Sequence, residues 1–378
     1  MRIALLSGAD KNAGDFLIVN RSKQLLEHFI DGCEIVEFPR NRSLDDKLGE
    51  INSCDAIVFA GGPGYVPDMY PGRFPLVDDI ARITPPFFAL GMGGYTPTSN
   101  IEGIRFKPSS RILLDKIEGD GFKLGCRDNL TKRLLNSNGY NSALTTGCPA
   151  WYDLNNSEVD HLIVAPSRSA IRSIAISDPA ALSNINAPKY LVKQLREVFP
   201  NAEIKLVFHR GWSDDRFTSV EMAEVQSRLV KWALENNVEP VDISYSCEGF
   251  AVYNACDLHV GYRVHAHLYN ISQRKPSYLI EEDGRGYGAN DALGISTHIA
   301  AGTQGATKQL IAKLVRKSKL KLDLYGASLQ QSASQMARHV VNEVNNGYPE
   351  SSNACKTACM TFPCMKKHIQ SLKCILKN

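Results

Sequence analysis

The sequence predicts an α/β protein of two doubly wound halves that face each other across a central cleft. Three observations carry this. Short apolar segments alternate with stretches of helical periodicity through the first 150 residues, the pattern of a parallel sheet clad with helices. The same alternation resumes after a connector at 145–153 that contains Gly147, Pro149 and Trp151. The chain has 378 residues, 43% hydrophobic and 22% charged, enough for two ordinary domains with sizeable cores.

Taken in order, strands are expected at 2–6, 34–37, 56–60, 87–90 and 122–125. The segment 56–60 is a continuous apolar run bounded by Asp55 and Gly61, as a strand buried on both faces requires. Between the strands, 16–29 and 129–135 repeat apolar residues at helical spacing. Beyond the connector, strands are expected at 161–165, 173–176, 203–209, 240–244, 258–260 and 277–280, and helices at 188–198, 219–235, 249–255 and 264–273. Two closing helices are expected at 304–315 and 328–344. The resulting division is a first domain over 1–150, a second over 151–325, and a closing helix with a Cys- and Lys-rich tail over 326–378.

Composition excludes some classes. A net charge of +3 is too small to argue for nucleic acid. No apolar run approaches a membrane span. The apolar start, Met1 to Ser7, is too short for a signal sequence and reads as a first strand, so the chain is expected in the cytoplasm. Six of the ten cysteines sit singly in apolar segments and read as free core thiols. The others, Cys355, Cys359, Cys364 and Cys374, crowd the tail with His368. They could ligate zinc, but the spacing matches no standard zinc pattern. The tail reads first as a frayed or packed C-terminal helix. A second reading is peripheral membrane contact, with Lys356, Lys366, Lys367, Lys373 and Lys377 as its basic side. Phe362, Met365, Ile369, Leu372, Ile375 and Leu376 would be the apolar side. A further basic run from Lys308 to Lys321 reads as a solvated helix face.

Ligands of doubly wound sheets bind beyond the carboxyl ends of the strands. Three first-half loops there are glycine-rich. The first is Gly8–Asp15, in which Gly14 permits a tight turn and Asp15 is placed as N-cap or cleft carboxylate. The second is Gly61-Gly62-Pro63-Gly64, followed by Asp68. The third is Gly91-Met92-Gly93-Gly94. None matches a phosphate-binding P-loop or a dinucleotide fingerprint. In the second half, Arg263 and His265 stand where the strand ending near Gly261 hands over to a helix. The first offers a fork for carboxylate or phosphate, the second a proton carrier near neutral pH. A buried structural histidine is the competing reading of His265. Trp212, beside Arg210, is the best sugar-stacking candidate of the three tryptophans. Trp232 reads as core, and His28 and His161 as structural.

Asn12-Ala13-Gly14-Asp15, Asp55–Gly62, Arg127-Asp128-Asn129 with Gly147-Cys148-Pro149, and Arg263-Val264-His265 followed by Lys275-Pro276 resemble, in this order over roughly residues 1–290, the polysaccharide pyruvyl transferase family. The resemblance implies a GT-B-like fold of two Rossmann-like domains. It also implies phosphoenolpyruvate as donor and a sugar with two free hydroxyls as acceptor. There are departures. The family's strand that opens the second domain usually ends in a donor-holding Arg. Arg168 fills that place if the strand is 161–165; if it is 173–176 the place falls to Asp178, with Arg210 as a substitute. Glu281-Glu282-Asp283-Gly284-Arg285 replaces a Lys-containing turn.

Two mechanisms suit these residues. In pyruvyl transfer, His265 is the general acid, Arg263 with Arg168 or Arg210 clamps the donor near Gly261, and Asp15 or Asp68 takes acceptor protons. Asn12, Gly14, Gly61, Gly62, Gly93 and Trp212 form the acceptor side. This chemistry calls for no metal and no cofactor. In glycosyl transfer from a nucleotide sugar, Arg210 and Arg263 hold the diphosphate, Glu281 or Glu282 the ribose, and Asp68 or Asp15 is the base. A non-catalytic sugar-binding relative is a third reading. The expected partner is a sugar or glycan, lipid-linked forms included, and no nucleic acid.

Overall fold

The computed structural model describes residues 1–302 and 320–375, with side chains for 1–302 and 326–374. The helix expected at 304–315 and the basic side chains of 308–321 lie outside the described residues.

The first half contains β1 (Arg2–Ser7), α1 (Ala13–Phe29), β2 (Glu34–Pro39), α2 (Leu48–Asn52), β3 (Ala56–Ala60), β4 (Pro63–Tyr65), β5 (Phe87–Leu90), β6 (Gly93–Gly94), α3 (Pro108–Gly119), β7 (Gly125–Cys126), α4 (Asn129–Asn136) and β8 (Leu144–Thr145). Its main sheet is parallel, in the order β2-β1-β3-β5; β4 pairs with β6, and β7 with β8. Every residue of β3 and β5 is buried, as their unbroken apolar sequences require.

The second half contains β9 (Ser173–Ser177), α5 (Ala187–Val198), β10 (Glu203–Phe208), α6 (Val220–Glu235), β11 (Glu239–Asp242), α7 (Ala251–Asn254), β12 (Leu258–Gly261), α8 (Val264–Ser272), β13 (Ser277–Glu281), α9 (Gly284–Ala292), β14 (Ile299–Ala300), α10 (Leu320–Asn345) and α11 (Pro349–Ile375). Its sheet is also parallel, in the order β11-β10-β9-β12-β13-β14. Each half is thus Rossmann-like. The first sheet reverses direction of growth between β1 and β3, the second between β9 and β12. Such switch points leave a crevice at the carboxyl ends of the strands.

Two buried cores back the sheets. One joins the first sheet to α8, α9 and α11; the other lies between the second sheet and α5, α6 and α10. The helices α8 and α9, which belong to the second half by sequence, are therefore anchored in the core of the first.

Some expectations need correction. The segment 161–165 is not a strand: the amides of Ile163 and Val164 bond the Arg274 carbonyl instead of a sheet neighbour. The strand that opens the second sheet is β9. Of 122–125, only Gly125 pairs in a strand. The helix α9 was hidden by its glycines. They are needed for close approach: a Cβ on Gly288 would lie 2.9 Å from the Asp128 carboxyl carbon.

The tail is a 27-residue helix. Its apolar side is core, not a membrane face: Phe362, Met365, Ile369 and Leu372 are buried. The Phe362 ring lies 5.2 Å from Tyr152 and 5.9 Å from Phe29. His368 donates through Nε2 to the Ala89 carbonyl (2.9 Å) and stacks on Phe88. Among the described residues no helix is long and apolar enough to cross a membrane, and no three His, Cys, Asp or Glu side chains converge to hold a metal ion.

Candidate active site

Both switch points open onto one cleft of about 390 Å³. From the first half it is lined by Asn12, Asp15, Pro63, Arg73 and Arg127; from the second, by His209, Arg210, Arg263, His265, Glu282 and Arg285, among others.

The turn from β12 into α8 is held from below. Gly261 lets β12 crowd β9, since a Cβ there would lie 2.3 Å from Ser177 Oγ. That oxygen accepts the backbone N–H groups of Tyr262 and Arg263, each at 3.0 Å. Its single hydrogen is thereby left for His259 Nε2, 2.9 Å away. His259 Nδ1 then donates to Ser277 Oγ (2.7 Å), which donates to His267 Nδ1 (2.9 Å). Burial holds His259 and His267 below the usual imidazole range, so the whole chain of bonds is neutral.

Arg263 is the N-cap residue of α8. Its Nε and Nη2 bond both oxygens of Asp178, at 2.8 and 2.6 Å. Asp178 is fully buried at the end of β9 and also accepts the His209 N–H (3.1 Å). Much of the fork that the sequence offers to a ligand is therefore spent on Asp178, and Arg263 reaches the cleft with what remains. His265 follows two residues on, in the first turn of α8. Its imidazole packs on the opposite half, where a Cβ at Gly14 would lie 2.4 Å from Nδ1. The His265 Nε2 has no hydrogen-bond partner. Burial first, then the guanidiniums of Arg127, Arg285, Arg263 and Arg40, push its pKa down to about 3.

The glycines of the other loops make room for arginines. Gly61 and Gly62 have φ of +46° and +69°. A Cβ on Gly62 would meet the Arg40 guanidinium at 2.7 Å. Arg40 is buried and donates to the Gly61 carbonyl (2.7 Å); burial lowers its pKa to about 10. A Cβ on Gly93 would lie 2.1 Å from the Arg127 guanidinium carbon. Arg127 is buried and bonds Asp128 and the Gly94 carbonyl. Gly62 and Gly93 thus make room for guanidiniums, whereas a Cβ on Gly61 would meet Ile18 and Pro149. Asn12 is the N-cap residue of α1; its Nδ2 donates to Asp15 (3.0 Å), while its Oδ1 is buried without a partner.

The halves are clasped beside the cleft. The Lys11 ammonium, only 2% exposed, bonds Ser213 O, Asp215 Oδ2 and Thr218 Oγ1 at 3.1, 2.7 and 2.7 Å. The Ala13 N–H donates to the His209 carbonyl and the Tyr245 N–H to the Lys11 carbonyl.

Five expected site residues lie elsewhere or are otherwise engaged. Arg168 is exposed, precedes β9 at the wrong end of the sheet, and bonds the Val198 carbonyl. Asp68 pairs with Lys107 and does not line the cleft. Trp212 packs edge-on against Phe208 in a separate groove with Val220 and Ala223. Glu282 lines the cleft, but its oxygens accept the Ala180 and Ala181 N–H groups and the Asn184 amide. Glu281 is bonded to Asn290 and His298. Arg40, Arg73, Lys11 and His209 escaped the sequence reading; single basic residues after strands carry no motif. Arg127 and Arg285 were legible only as parts of segments.

Comparison with known proteins completes the description. None of the curated proteins matches the chain. Among solved structures, it is similar to the pneumococcal O-GlcNAc transferase GtfA in complex with UDP and GlcNAc, at 10% identity and a TM-score of 0.49 over 88% of this chain and 60% of that one. It is similar to the UDP-GlcNAc 2-epimerase of Neisseria meningitidis, at 10% identity and 0.47 over 92% and 100%. It is similar to the E. coli heptosyltransferase WaaC with ADP, at 12% identity and 0.37 over 85% and 100%. The model of the polysaccharide pyruvyl transferase family matches residues 12–284, which run from the first cleft loop through β13. With its two Rossmann-like halves in a GT-B-like arrangement, the chain belongs to the polysaccharide pyruvyl transferase family, and it is a transferase.

Proposed function

We propose that the cleft transfers the three-carbon unit of phosphoenolpyruvate onto two hydroxyls of one sugar in a glycan, forming a cyclic pyruvate ketal. One observation carries the reading. An imidazole stands where the two switch points meet, surrounded by guanidiniums and paired with no carboxylate.

The donor carries a carboxylate and a phosphate, about −3 in all near neutral pH. Arg73 and Arg210 form no salt bridge with a carboxylate among the described residues, and both line the cleft. They are the cations best placed to receive it, with Arg127 and Arg285 beside them. In the empty cleft His265 is neutral at pH 7. The bound donor offsets the surrounding positive charge, which raises the imidazole pKa toward the range where it carries a proton. The donor thus arms the acid that activates it.

His265 gives a proton to the donor's methylene carbon, and the adjacent carbon becomes oxocarbenium-like. One sugar hydroxyl attacks that carbon and loses its proton to Asp15. The carbon–oxygen bond to phosphate breaks, and phosphate leaves with the electron pair. The second hydroxyl attacks and the ketal closes. Asp15 passes the first hydroxyl's proton to the departing phosphate, and the second hydroxyl's proton restores His265. Lipid-linked glycans fit as acceptors as well as free ones.

The nucleotide-sugar alternative loses its main support, because Glu281 and Glu282, its ribose ligands, are committed within the second half. The test is a thermal-shift series with phosphoenolpyruvate, UDP and GDP, followed by phosphate release from phosphoenolpyruvate over a glycan panel. Stabilisation by phosphoenolpyruvate is expected. Stabilisation by a nucleoside diphosphate, with none from phosphoenolpyruvate, overturns the reading.

A further inference from the structure

Eight large hydrophobic side chains are strongly exposed among the described residues, and only two are aromatic, Tyr95 at 48% and Tyr245 at 45%. Both stand on the seam between the halves, each beside a cation. Tyr245 serves the clasp between the halves, since its hydroxyl donates to Asp215 (2.5 Å) and its ring lies against the buried Lys11 ammonium. Tyr95 serves no such contact. Its hydroxyl makes no hydrogen bond within the described residues.

The surroundings of Tyr95 are built, not loose. It follows β6 and does not itself line the cleft, but it lies against Arg285, which does. Its neighbour Thr96 is buried, and the Thr96 carbonyl accepts the Gly284 N–H (3.0 Å), docking this loop onto the start of α9. The Arg285 guanidinium lies over one face of the Tyr95 ring, 5.2 Å from its centroid. Asp283 fixes that guanidinium through Nε (3.0 Å) and Nη2 (2.7 Å). The same Arg285 lines the cleft and belongs to the positive surroundings of His265. One guanidinium therefore links a solvent-facing aromatic ring to the proposed acid. A pyranose presents a face of C–H groups that suits the negative face of such a ring, and a tyrosine, with two side-chain torsions, loses little freedom on stacking.

We propose that Tyr95 is the platform on which the acceptor pyranose stacks, with Arg285 behind it, so that the sugar's neighbouring hydroxyls turn toward His265. This rests on the pyruvyl-transfer reading for its role. The stacking itself can be measured without turnover.

The experiment uses the full chain as wild type, Tyr95→Ala and Tyr95→Trp. Saturation-transfer NMR follows the methyl pyranosides of galactose, glucose and mannose, with and without phosphoenolpyruvate. At least one pyranoside is expected to bind wild type and Tyr95→Trp, and to bind Tyr95→Ala about tenfold more weakly. The melting temperature and the shift induced by phosphoenolpyruvate should match in all three proteins. Equal binding by Tyr95→Ala overturns the proposal, as does binding of none of the three sugars to wild type. A collapse of stability or of the phosphoenolpyruvate shift in Tyr95→Ala also overturns it, because the residue would then be structural. A wild type that binds a sugar but is not shifted by phosphoenolpyruvate sinks the transfer reading instead, and leaves the sugar comparison readable.

Discussion

His265 packs directly against Gly14 of the other half, where a Cβ would lie 2.4 Å from the ring. Replacing His265 with Gln removes the proton carrier and breaks no hydrogen bond at Nε2, which has no partner. Transfer should fall by about 10² to 10⁴-fold with little change in melting temperature; a large loss of stability would make the residue a core histidine. Gly14→Ala is the complementary test. Alanine favours a helix over glycine by about 0.5–1 kcal/mol, but its Cβ would lie 2.4 Å from the imidazole. The ring must turn away. Activity should drop at least about tenfold, while the melting temperature moves by no more than about 4 °C. Asp178→Asn acts on the other cleft wall. It leaves the buried Arg263 guanidinium without its countercharge, and urea unfolding should report a loss of about 3 kcal/mol. Unchanged stability there would mean that Arg263 is held by something other than Asp178.

Among the elements, the final helix is the one for which the structure chooses between two readings, core packing over a membrane face. Its described apolar residues, Phe362, Met365, Ile369 and Leu372, are buried, but in sequence such a stripe on a basic helix suits a membrane surface and a protein groove equally well. What decides is the surface left by α1, α8 and the first sheet, where Phe29, Tyr152 and Phe88 await a cover. Ile369→Ala should therefore cost about 2–5 kcal/mol of unfolding free energy. A near-neutral effect would detach α11 from the core. The helix α9 teaches the same point from its glycines. They read as a loop in sequence because glycine is a poor helix former, and they are tolerated because Asp128 and Glu281 lie too close for side chains.

For the whole molecule, acid is the clearest probe. Burial holds His209, His259, His265, His267 and His368 below the ordinary value of 6.5, the last at about 4. The unfolded chain therefore binds more protons than the folded one as pH falls through 6.5. Stability is full above that value and declines below it, by up to about 1.4 kcal/mol per pH unit for each histidine. His298 has the opposite sign, since Glu281 raises it, and offsets one of the five. The urea midpoint should stay level between pH 7.5 and 6.5 and drop steadily toward pH 5. A flat midpoint over that range would mean these imidazoles are not buried as neutral groups. Phosphoenolpyruvate should reduce the decline, because it raises His265 in the folded state and lets that group bind protons there too.

The alternation of apolar strands with helical periods, the segments 56–60 and 258–260, and the ordered family motifs by themselves determined the two-halved α/β architecture and placed Arg263, His265, Gly14 and Asp15 on its rim. Those features are local, and periodicity or a strand-to-helix handover reports them directly. Only the tertiary structure decided which charges meet. Arg40 and Arg127 lie far from His265 in the chain and reach it through space, past glycines whose missing side chains leave the room. Arg168, Asp68 and Trp212 had suitable chemistry and lay near suitable loops, but strand register and helix packing sent them away from the cleft. A charge acts through distance and burial, and neither is written in residue order.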